Sequence, residues 1–219
     1  MRKVLCMTVA LLMLAAGASA QDIIFGKTYE GANGKSVRTT SDGGFIISAT
    51  ITGSDWYNHA SAIKVDKSGA EVFRTICKAD GMNGSEATVV RQTRDGGYLV
   101  AGYLFNKAWE EDFYFVKLSA AGEIQWWKYY DRARIDEVYA VEQTPDGGYI
   151  AAGKAEQLDG NHHQAFMLRL TADGDTLWTK ELGGQYEDYF YDVKVTRDGG
   201  YIFAGRWREN FSGNEAWLL

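Results

Sequence analysis

Paired carboxylates are the residues of this sequence that could carry out acid–base chemistry. They occur at Glu111-Asp112, Asp136-Glu137 and Glu187-Asp188. Glycoside hydrolysis needs two carboxyl groups about 5 to 10 Å apart, so these six residues are the candidates for a catalytic pair. Asp136 and Asp188 occupy equivalent places in a sequence repeat, which favours a structural role for those two.

Aromatic and histidine side chains in polar loops form the second group of candidates. Flat rings offer apolar area while polar neighbours fix orientation, which suits a carbohydrate or peptide ligand. The alternative is that each ring only covers the end of a sheet. The candidate ligand-binding residues are Trp56, Tyr57, His59, Trp109, His162, His163, Trp207 and Phe211.

Metal, cofactor and nucleophile motifs are not found. Adjacent His162 and His163 tend to point apart, so converging metal ligands are not expected, and no EF-hand spacing occurs. The sequence has no Gly-x-Ser-x-Gly, no phosphate-binding loop and no His-Glu-x-x-His. We therefore expect no cofactor and no metal, and the sequence favours a non-catalytic protein over an enzyme.

A repeated motif, Thr-x-Asp-Gly-Gly followed by an aromatic residue, must position these candidates. Its four aspartates are Asp42, Asp95, Asp146 and Asp198, spaced 53, 51 and 52 residues apart. A constant period of this size indicates a repeat architecture. Asp before Gly-Gly is typical of a tight turn, so we assign these aspartates structural roles rather than catalysis or calcium binding.

One repeat, residues 136–182, divides into four predicted strands. Alternating residues 136–144 form the first, and the apolar run 149–153 forms the second. A variable loop leads to the third strand at 164–170, and a second Asp-x-x-Gly-type turn leads to the fourth at 177–182. Small residues close the second strand in each repeat, where we expect close approach of backbones. They are Ala49, Gly102, Gly153 and Gly205.

Four antiparallel strands in about fifty residues describe a β-propeller blade. The motif resembles that of secreted bacterial β-propeller repeat proteins, with a kelch-like strand order. The resemblance implies an all-β propeller of four four-stranded blades over residues 21–219, with an N-terminal outer strand at 23–29 and repeats at about 30–77, 78–130, 131–182 and 183–219. The glycine pairs and Trp of kelch repeats are not all in place, and proteins of this type are usually longer.

Two arrangements of the blades remain open. Residues 23–29 match the fourth strand of the other repeats, while the last repeat stops inside its third strand. Pairing these two segments would close a ring of four blades and cover both edges. Alternatively, the chain is an open arc or a truncated part of a larger propeller.

The first twenty residues predict a secretory signal peptide. Arg2 and Lys3 precede an apolar stretch of 13 residues, and Ala18-Ser19-Ala20 predicts cleavage before Gln21. The stretch is too short for a membrane-spanning helix. We expect a secreted, periplasmic or cell-surface protein without membrane insertion after cleavage. Residues 21–219 carry 21 basic and 29 acidic residues, which argues against nucleic-acid partners.

These observations favour a secreted, non-catalytic β-propeller whose variable loops bind a glycan or an extracellular or envelope protein. The first alternative is a carbohydrate-active enzyme of glycoside hydrolase type, or its accessory domain. The second is a purely structural surface repeat protein. The oligomeric state stays open.

Overall fold

The computed structural model describes residues 26–132, 134–157, 162–210 and 213–219. The predicted signal peptide, residues 1–20, lies outside them. Within these ranges the chain consists of strands and turns, and no helix suited to crossing a membrane is found. The strands are β1 (Ala32–Thr39), β2 (Phe45–Thr52), β3 (Asn58–Val65), β4 (Glu71–Ile76), β5 (Gly84–Gln92), β6 (Tyr98–Phe105), β7 (Glu111–Leu118), β8 (Ile124–Tyr130), β9 (Asp136–Gln143), β10 (Tyr149–Glu156), β11 (His163–Leu170), β12 (Thr176–Leu182), β13 (Tyr189–Val195), β14 (Tyr201–Asn210) and β15 (Gly213–Leu218).

Consecutive strands pair into four antiparallel sheets of four, four, four and three strands. The sheets follow the chain in order, β1–β4, β5–β8, β9–β12 and β13–β15. The predicted all-β, blade-by-blade architecture is therefore confirmed. The second strands run further than expected: β10 continues past Gly153 to Glu156, because a β-bulge carries the pairing beyond the glycine.

In the first three Asp-Gly-Gly turns, the two positions require glycine for different physical reasons. The first has a left-handed backbone, as at Gly96 with φ +81°, which glycine adopts without steric cost. The second is in close contact with the third strand: a Cβ on Gly97 would lie 2.3 Å from the carbonyl oxygen of Leu118. The motif therefore fixes both the turn and the approach of the third strand.

Neighbouring sheets pack face to face through apolar cores. One core joins the first and second sheets, another the second and third, and a third the third and fourth. The aromatic residue of each outer strand packs against the aromatic residue of the next Asp-Gly-Gly motif. These pairs are Phe73 with Tyr98, Trp126 with Tyr149 and Trp178 with Tyr201.

Amide hydrogen bonds also join the sheets beside the Asp-Gly-Gly turns. The Ser41 backbone N–H donates to Gln92 Oε1 at 2.8 Å, and the Arg94 N–H donates to Gln143 Oε1 at 2.9 Å. At the third junction Pro145 takes the donor position and lacks an N–H. Val195, which has no amide side chain, takes the acceptor position there. Both partners of the bond are thus replaced together.

The N-terminal segment differs from the predicted outer strand at 23–29. Residues 26–29 are not paired as a strand, and residues 23–25 lie outside the described part of the chain. Tyr29 packs on the first sheet and donates a hydrogen bond to the Gly69 carbonyl at 3.0 Å. Tyr130 makes the same contact with Gly174 of the following sheet. Ring closure is not seen, since β15 has no partner other than β14 among the described strands.

Candidate active site

Three glutamates meet on the loop face, the edge of the molecule that carries the loops between second and third strands. Glu86 lies in β5, Glu111 begins β7 and Glu137 lies in β9. Burial, together with the charges of all three, raises the pKa of the Tyr103 phenol. Tyr103 therefore lies within electrostatic reach of each carboxylate.

The backbone around Glu86 and Glu137 is shaped by glycines on the neighbouring strands. A Cβ on Gly102 would lie 2.0 Å from the Glu86 carbonyl oxygen, and a Cβ on Gly153 would lie 1.9 Å from that of Glu137. The strand pairing shifts at both places. Such bulges re-aim side chains and are common beside active sites. The predicted close approach of backbones at these two glycines is confirmed, although the glycines lie within the second strands rather than at their ends, and it positions two carboxylates.

Glu111 and Glu137 are neighbours across the junction of the second and third sheets, where the Glu111 backbone N–H donates to the Arg134 carbonyl at 2.8 Å. Burial and the neighbouring Glu137 charge raise the pKa of Glu111 to about 7. Lys154 Nζ lies 2.7 Å from Glu137 Oε1. The pair therefore consists of an acid that holds a proton near neutral pH and a carboxylate balanced by a lysine.

Glu86 stands apart from that pair and borders a cavity. Its carboxylate accepts a hydrogen bond from Asn58 Nδ2 at 3.3 Å and lies 3.6 Å from Lys35 Nζ. The cavity has a volume of about 410 Å³. Its lining is Gly31, Ala32, Asn33, Lys35, Thr50, Thr52, Asn58 and Glu86. This space is of the size that binds small ligands or a sugar unit of a longer chain.

On the loop face, the three junctions between sheets differ in the residue that faces a glutamate. The first residue of each third strand lies near a glutamate of the next sheet. Asn58 donates to Glu86, Glu111 is within the electrostatic influence of Glu137, and the His163 ring Nδ1 lies 2.9 Å from Glu187. An amide, a carboxylic acid and an imidazole thus occupy equivalent positions.

The His163 junction is a network of polar side chains. Tyr189 donates its hydroxyl to Glu187, and although burial opposes the shift, this bond and His163 lower the pKa of Glu187. The Arg206 guanidinium lies over the Tyr189 ring at 4.3 Å. Glu187, a predicted acid–base candidate, is therefore held as a carboxylate by its neighbours.

The remaining predicted carboxylates are fully buried. Asp188 accepts the backbone N–H groups of Gly184 and Arg208 at 2.8 and 2.7 Å. Asp136 lies 3.9 Å from Arg132 Nη1. Asp112 accepts a hydrogen bond from Asn106, and burial with Asp131 nearby raises its pKa to about 6. All three organise the starts of strands beneath the loop face.

Two of the predicted tryptophans stand out on the loop face. Trp56 is 89% exposed and Trp109 is 58% exposed. Both have left-handed backbones, with φ of 67° and 63°, a conformation that costs a bulky residue on the order of 1–2 kcal/mol. The Tyr57 and Trp109 rings lie 5.7 Å apart, so residues from the first two sheets form one aromatic surface.

The other predicted ligand-binding residues are placed differently. His59 is buried within β3 and bonded to Asp55 at 3.0 Å, so it does not reach the loop surface. His162 lies 6.4 Å from the Tyr186 ring, and Trp207 packs on Trp217 at 4.9 Å. Phe211 lies outside the described residues.

The four repeated aspartates lie on the opposite edge, which we call the turn face. Asp42, Asp95 and Asp146 each contact a basic residue of the third strand, Lys64, Lys117 and Arg169 respectively. Asp198 accepts hydrogen bonds from Thr196 and the Gly200 amide. The contacts of all four aspartates are thus made within their own sheet. Among the described residues, no group of three metal-ligating side chains occurs.

Glu86, Tyr103 and Lys154 were not among the sequence candidates. A signal for them exists: Glu86 and Glu137 share one register position, and Tyr103 and Lys154 share the position opposite. Both positions lie beside the repeated glycine yet change type between repeats. Variable residues next to an invariant turn or bulge of the repeat would have pointed to this site.

Comparisons with known proteins bear on the fold. No protein-family model and no curated protein matches the chain. Among solved structures, an endo-arabinase from Bacteroides thetaiotaomicron matches with a TM-score of 0.50 and 9% identity, covering 91% of this chain and 77% of that one.

Two further structures match with a TM-score of 0.46. A putative exo-beta-1,3-galactanase from Bifidobacterium bifidum is 16% identical, with 86% of this chain and 72% of that one covered. An endo-1,4-beta-xylanase from Bacteroides thetaiotaomicron is 12% identical, with 84% and 69% covered. The match to the endo-arabinase, together with the four sheets, shows that the chain has an all-β, propeller-type fold.

Proposed function

We propose that this protein is a carbohydrate-active enzyme that hydrolyses glycosidic bonds at Glu86, Glu111 and Glu137. The observation that carries the proposal is the cluster of Glu86, Glu111 and Glu137 around Tyr103, next to the cavity that Glu86 lines. The sequence favoured a non-catalytic binding module, and this geometry favours its alternative. Likeness of fold to an endo-arabinase adds no evidence for activity, since one fold hosts many functions.

Glu111 supplies the general acid. A glycosidic oxygen leaves as an alcohol only when it receives a proton, and a carboxyl group delivers it best if its pKa lies near the working pH. Burial and the Glu137 charge place the pKa of Glu111 at about 7. Glu137, held by Lys154, acts as a positioning residue that keeps the proton on Glu111.

Glu86 supplies the second carboxylate. Glu137 is already paired with a cation, since its Oε1 lies 2.7 Å from Lys154 Nζ. Glu86 affects the pKa of Glu111 only through its charge, and it borders the cavity. Acting on a water, Glu86 gives inversion of the anomeric carbon; attacking that carbon directly, it gives retention.

The test is hydrolysis of a polysaccharide panel, starting with arabinan, by wild type and by Glu111→Gln, Glu86→Gln and Glu137→Gln. Loss of the acid typically lowers kcat 10²- to 10⁴-fold. The matched control is Glu123→Gln, an exposed glutamate on the turn face of the same sheet. Proton NMR of the first product gives the stereochemistry. Unchanged turnover in Glu111→Gln, or no turnover of any glycan by wild type, overturns the proposal.

A second candidate is the non-catalytic glycan-binding module. The exposed Trp56 and Trp109 favour it, because solvent-facing aromatic rings suit sugar binding without catalysis. Binding of a glycan by wild type, with no turnover and no effect of Glu111→Gln, is the result that identifies this function.

Export is part of the proposal, since either function is expected outside the cytoplasm. The supporting observation is the N-terminal sequence, basic then apolar then Ala18-Ser19-Ala20. N-terminal sequencing of the mature protein is expected to begin at Gln21. A mature protein that retains Met1 contradicts export by this route.

A further inference from the structure

One hairpin geometry recurs throughout the molecule, and its left-handed position is almost always glycine. In each case the first residue exchanges backbone hydrogen bonds with the fourth and fifth, and the fourth has positive φ. Seven described hairpins have glycine in that position: Gly43, Gly69, Gly96, Gly122, Gly147, Gly174 and Gly199. All seven lie on the turn face.

Two hairpins of the same geometry lie on the loop face, and both have tryptophan instead. Trp56 N–H donates to the Gly53 carbonyl at 3.1 Å, and Trp109 N–H donates to the Asn106 carbonyl at 3.0 Å. A bulky side chain with a left-handed backbone is strained, and such strain clusters at functional sites. Because glycine serves this turn elsewhere, the turn itself does not require tryptophan.

The tryptophan side chains contribute little to the apolar core. Trp56 is almost fully exposed, and the aromatic neighbours of the half-exposed Trp109 are Tyr57 and Phe105, at 5.7 and 6.1 Å. Packing in the core therefore does not account for the strain, whereas a ligand lying against the rings would.

The aromatic surface is continuous with the glutamate site. Asn58 follows Tyr57 directly and donates to Glu86. The Tyr57–Asn58 backbone lies against the start of β5, where a Cβ on Gly84 would be 2.8 Å from the Asn58 carbonyl oxygen. Asn58 and Glu86 both line the 410 Å³ cavity. A chain-like ligand lying across the rings would thus lead into the cavity.

The charges around the aromatic rings and the cavity favour a neutral polymer as the ligand. The three glutamates exceed the two lysines that contact them, Lys35 and Lys154, and the chain has a net charge of −6. Anionic polysaccharides, nucleic acids and anionic membranes are recognised by clustered basic residues. Stacking on flat rings with neighbouring hydrogen-bonding groups suits uncharged sugar rings.

We propose that Trp56, Tyr57 and Trp109 form a binding surface for a neutral polysaccharide, which extends the glutamate site beyond the cavity. The inference rests on the proposed function, because the bound polysaccharide is taken to be the substrate of the glutamate site. It adds that the substrate is a polymer several sugars long rather than a short oligosaccharide.

The experiment uses Trp56→Gly, Trp109→Gly and the double variant, because glycine fits the left-handed position and keeps the hairpin folded. Binding is measured by affinity electrophoresis in arabinan, galactan, xylan and β-glucan, with polygalacturonate as the anionic comparison. The control is Tyr129→Ala, which removes an exposed aromatic ring on β8. We expect at least a tenfold loss of neutral-polymer binding in the double variant, unchanged binding in the control, and no fall in Tm.

The kinetic readout separates this inference from the catalytic proposal. The double variant is expected to raise KM for the polymer at least tenfold and to leave hydrolysis of a short aryl glycoside unchanged. One outcome is that neither wild type nor any variant hydrolyses a glycan while the binding result is as expected. The catalytic proposal is then wrong, and the proposed binding surface is supported. Equal polymer binding by wild type and double variant, or no neutral-polymer binding by wild type, overturns the inference.

Discussion

At the two ends of strand β7, the pKa of a carboxyl group is shifted in opposite directions. On the turn face, Lys117 of β7 lies 2.8 Å from Asp95. Burial opposes ionisation there, but hydrogen bonds from Lys117, Thr93 and the Gly97 amide lower the pKa of Asp95 to about 2. On the loop face, Glu111 begins the same strand, and burial with the charge of Glu137 raises its pKa to about 7.

The difference between the two ends separates what every repeat needs for folding from what one junction adds as a candidate active site. The turn-face pair recurs in three sheets, as Asp42 with Lys64, Asp95 with Lys117 and Asp146 with Arg169, so it serves the sheet that every repeat must form. The acid pair occurs at one junction only. Substitutions on the turn face should therefore cost stability, and those on the loop face should cost function or even add stability.

The largest expected effect is on the turn face, from Gly97→Ala. The added Cβ would lie 2.3 Å from the Leu118 carbonyl oxygen and 2.6 Å from Lys117 Nζ. It would push the third strand away and displace the cation. We expect the free energy of unfolding to fall by about 3 kcal/mol, at the upper end of overpacking effects, measured by urea denaturation.

Its matched control is the neighbouring Gly96→Ala. The Gly96 φ is +81° and the nearest heavy atom to an added Cβ is 3.8 Å away. Only the backbone conformation is then strained, which costs about 1 kcal/mol. Equal losses in the two variants would show that contact with the third strand is not the reason for the second glycine.

On the loop face, Glu111→Gln should stabilise the protein above neutral pH. The folded-state pKa of Glu111 is raised, so the folded protein binds more protons than the unfolded chain between about pH 4.3 and about 7. Stability from this group is present below that window and is lost as pH rises through it. Glutamine does not ionise, so we expect a gain of about 2 kcal/mol at pH 8, discounted for partial exposure from about 1.4 kcal/mol per pKa unit.

Urea denaturation of wild type and Glu111→Gln at pH 4 and pH 8 measures this effect. The two proteins should be equally stable at pH 4, where both Glu111 and its glutamine replacement are uncharged. A gain of the same size at both pH values would assign the effect to packing, and a loss at pH 8 would contradict the raised pKa of Glu111.

The sequence predicted the strands because their signals are local. The Asp-Gly-Gly turns, the apolar run at 149–153 and the aromatic residues Trp126 and Trp178 each report on structure within or beside their own sheet. Period and turn chemistry were enough to place four sheets in order. The departure at residues 26–29 concerns a contact between the two ends of the chain, which no local pattern encodes.

The site was only half predicted, for a physical reason. Glu111 and Glu137 were among six candidates because of their type, but their proximity depends on a bulge that Gly153 permits and on the way two sheets pack. Glu86 and Lys154 follow from the same geometry. His59 looked exposed in a loop, yet the strand begins before it and turns its ring inward.

A smaller effect is expected from Asp95→Asn on the turn face. The folded-state pKa of Asp95 is lowered, so its ion pair contributes stability above the unfolded pKa of about 3.9 and loses it as pH falls toward about 2. The side chain is 56% exposed, and exposed ion pairs contribute about 0.2–1 kcal/mol. The variant should be less stable by under about 1 kcal/mol at pH 7, and urea denaturation should show this difference shrinking as the pH is lowered to 2. An identical loss at both pH values would assign it to the turn hydrogen bonds instead.

The smallest effect is expected from Trp56→Gly, and like that of Glu111→Gln it is a gain in stability. The tryptophan is 89% exposed with φ of 67°, so glycine relieves backbone strain and removes little packing. Glycine also increases the entropy of the unfolded chain, which offsets part of the gain. We expect the free energy of unfolding to rise by up to about 1 kcal/mol. The control is Gly43→Trp, the reverse change at the same hairpin position on the turn face, which should lower the free energy of unfolding. A loss of stability in both variants would mean that Trp56 stabilises its hairpin. The two faces would then not differ in the way proposed.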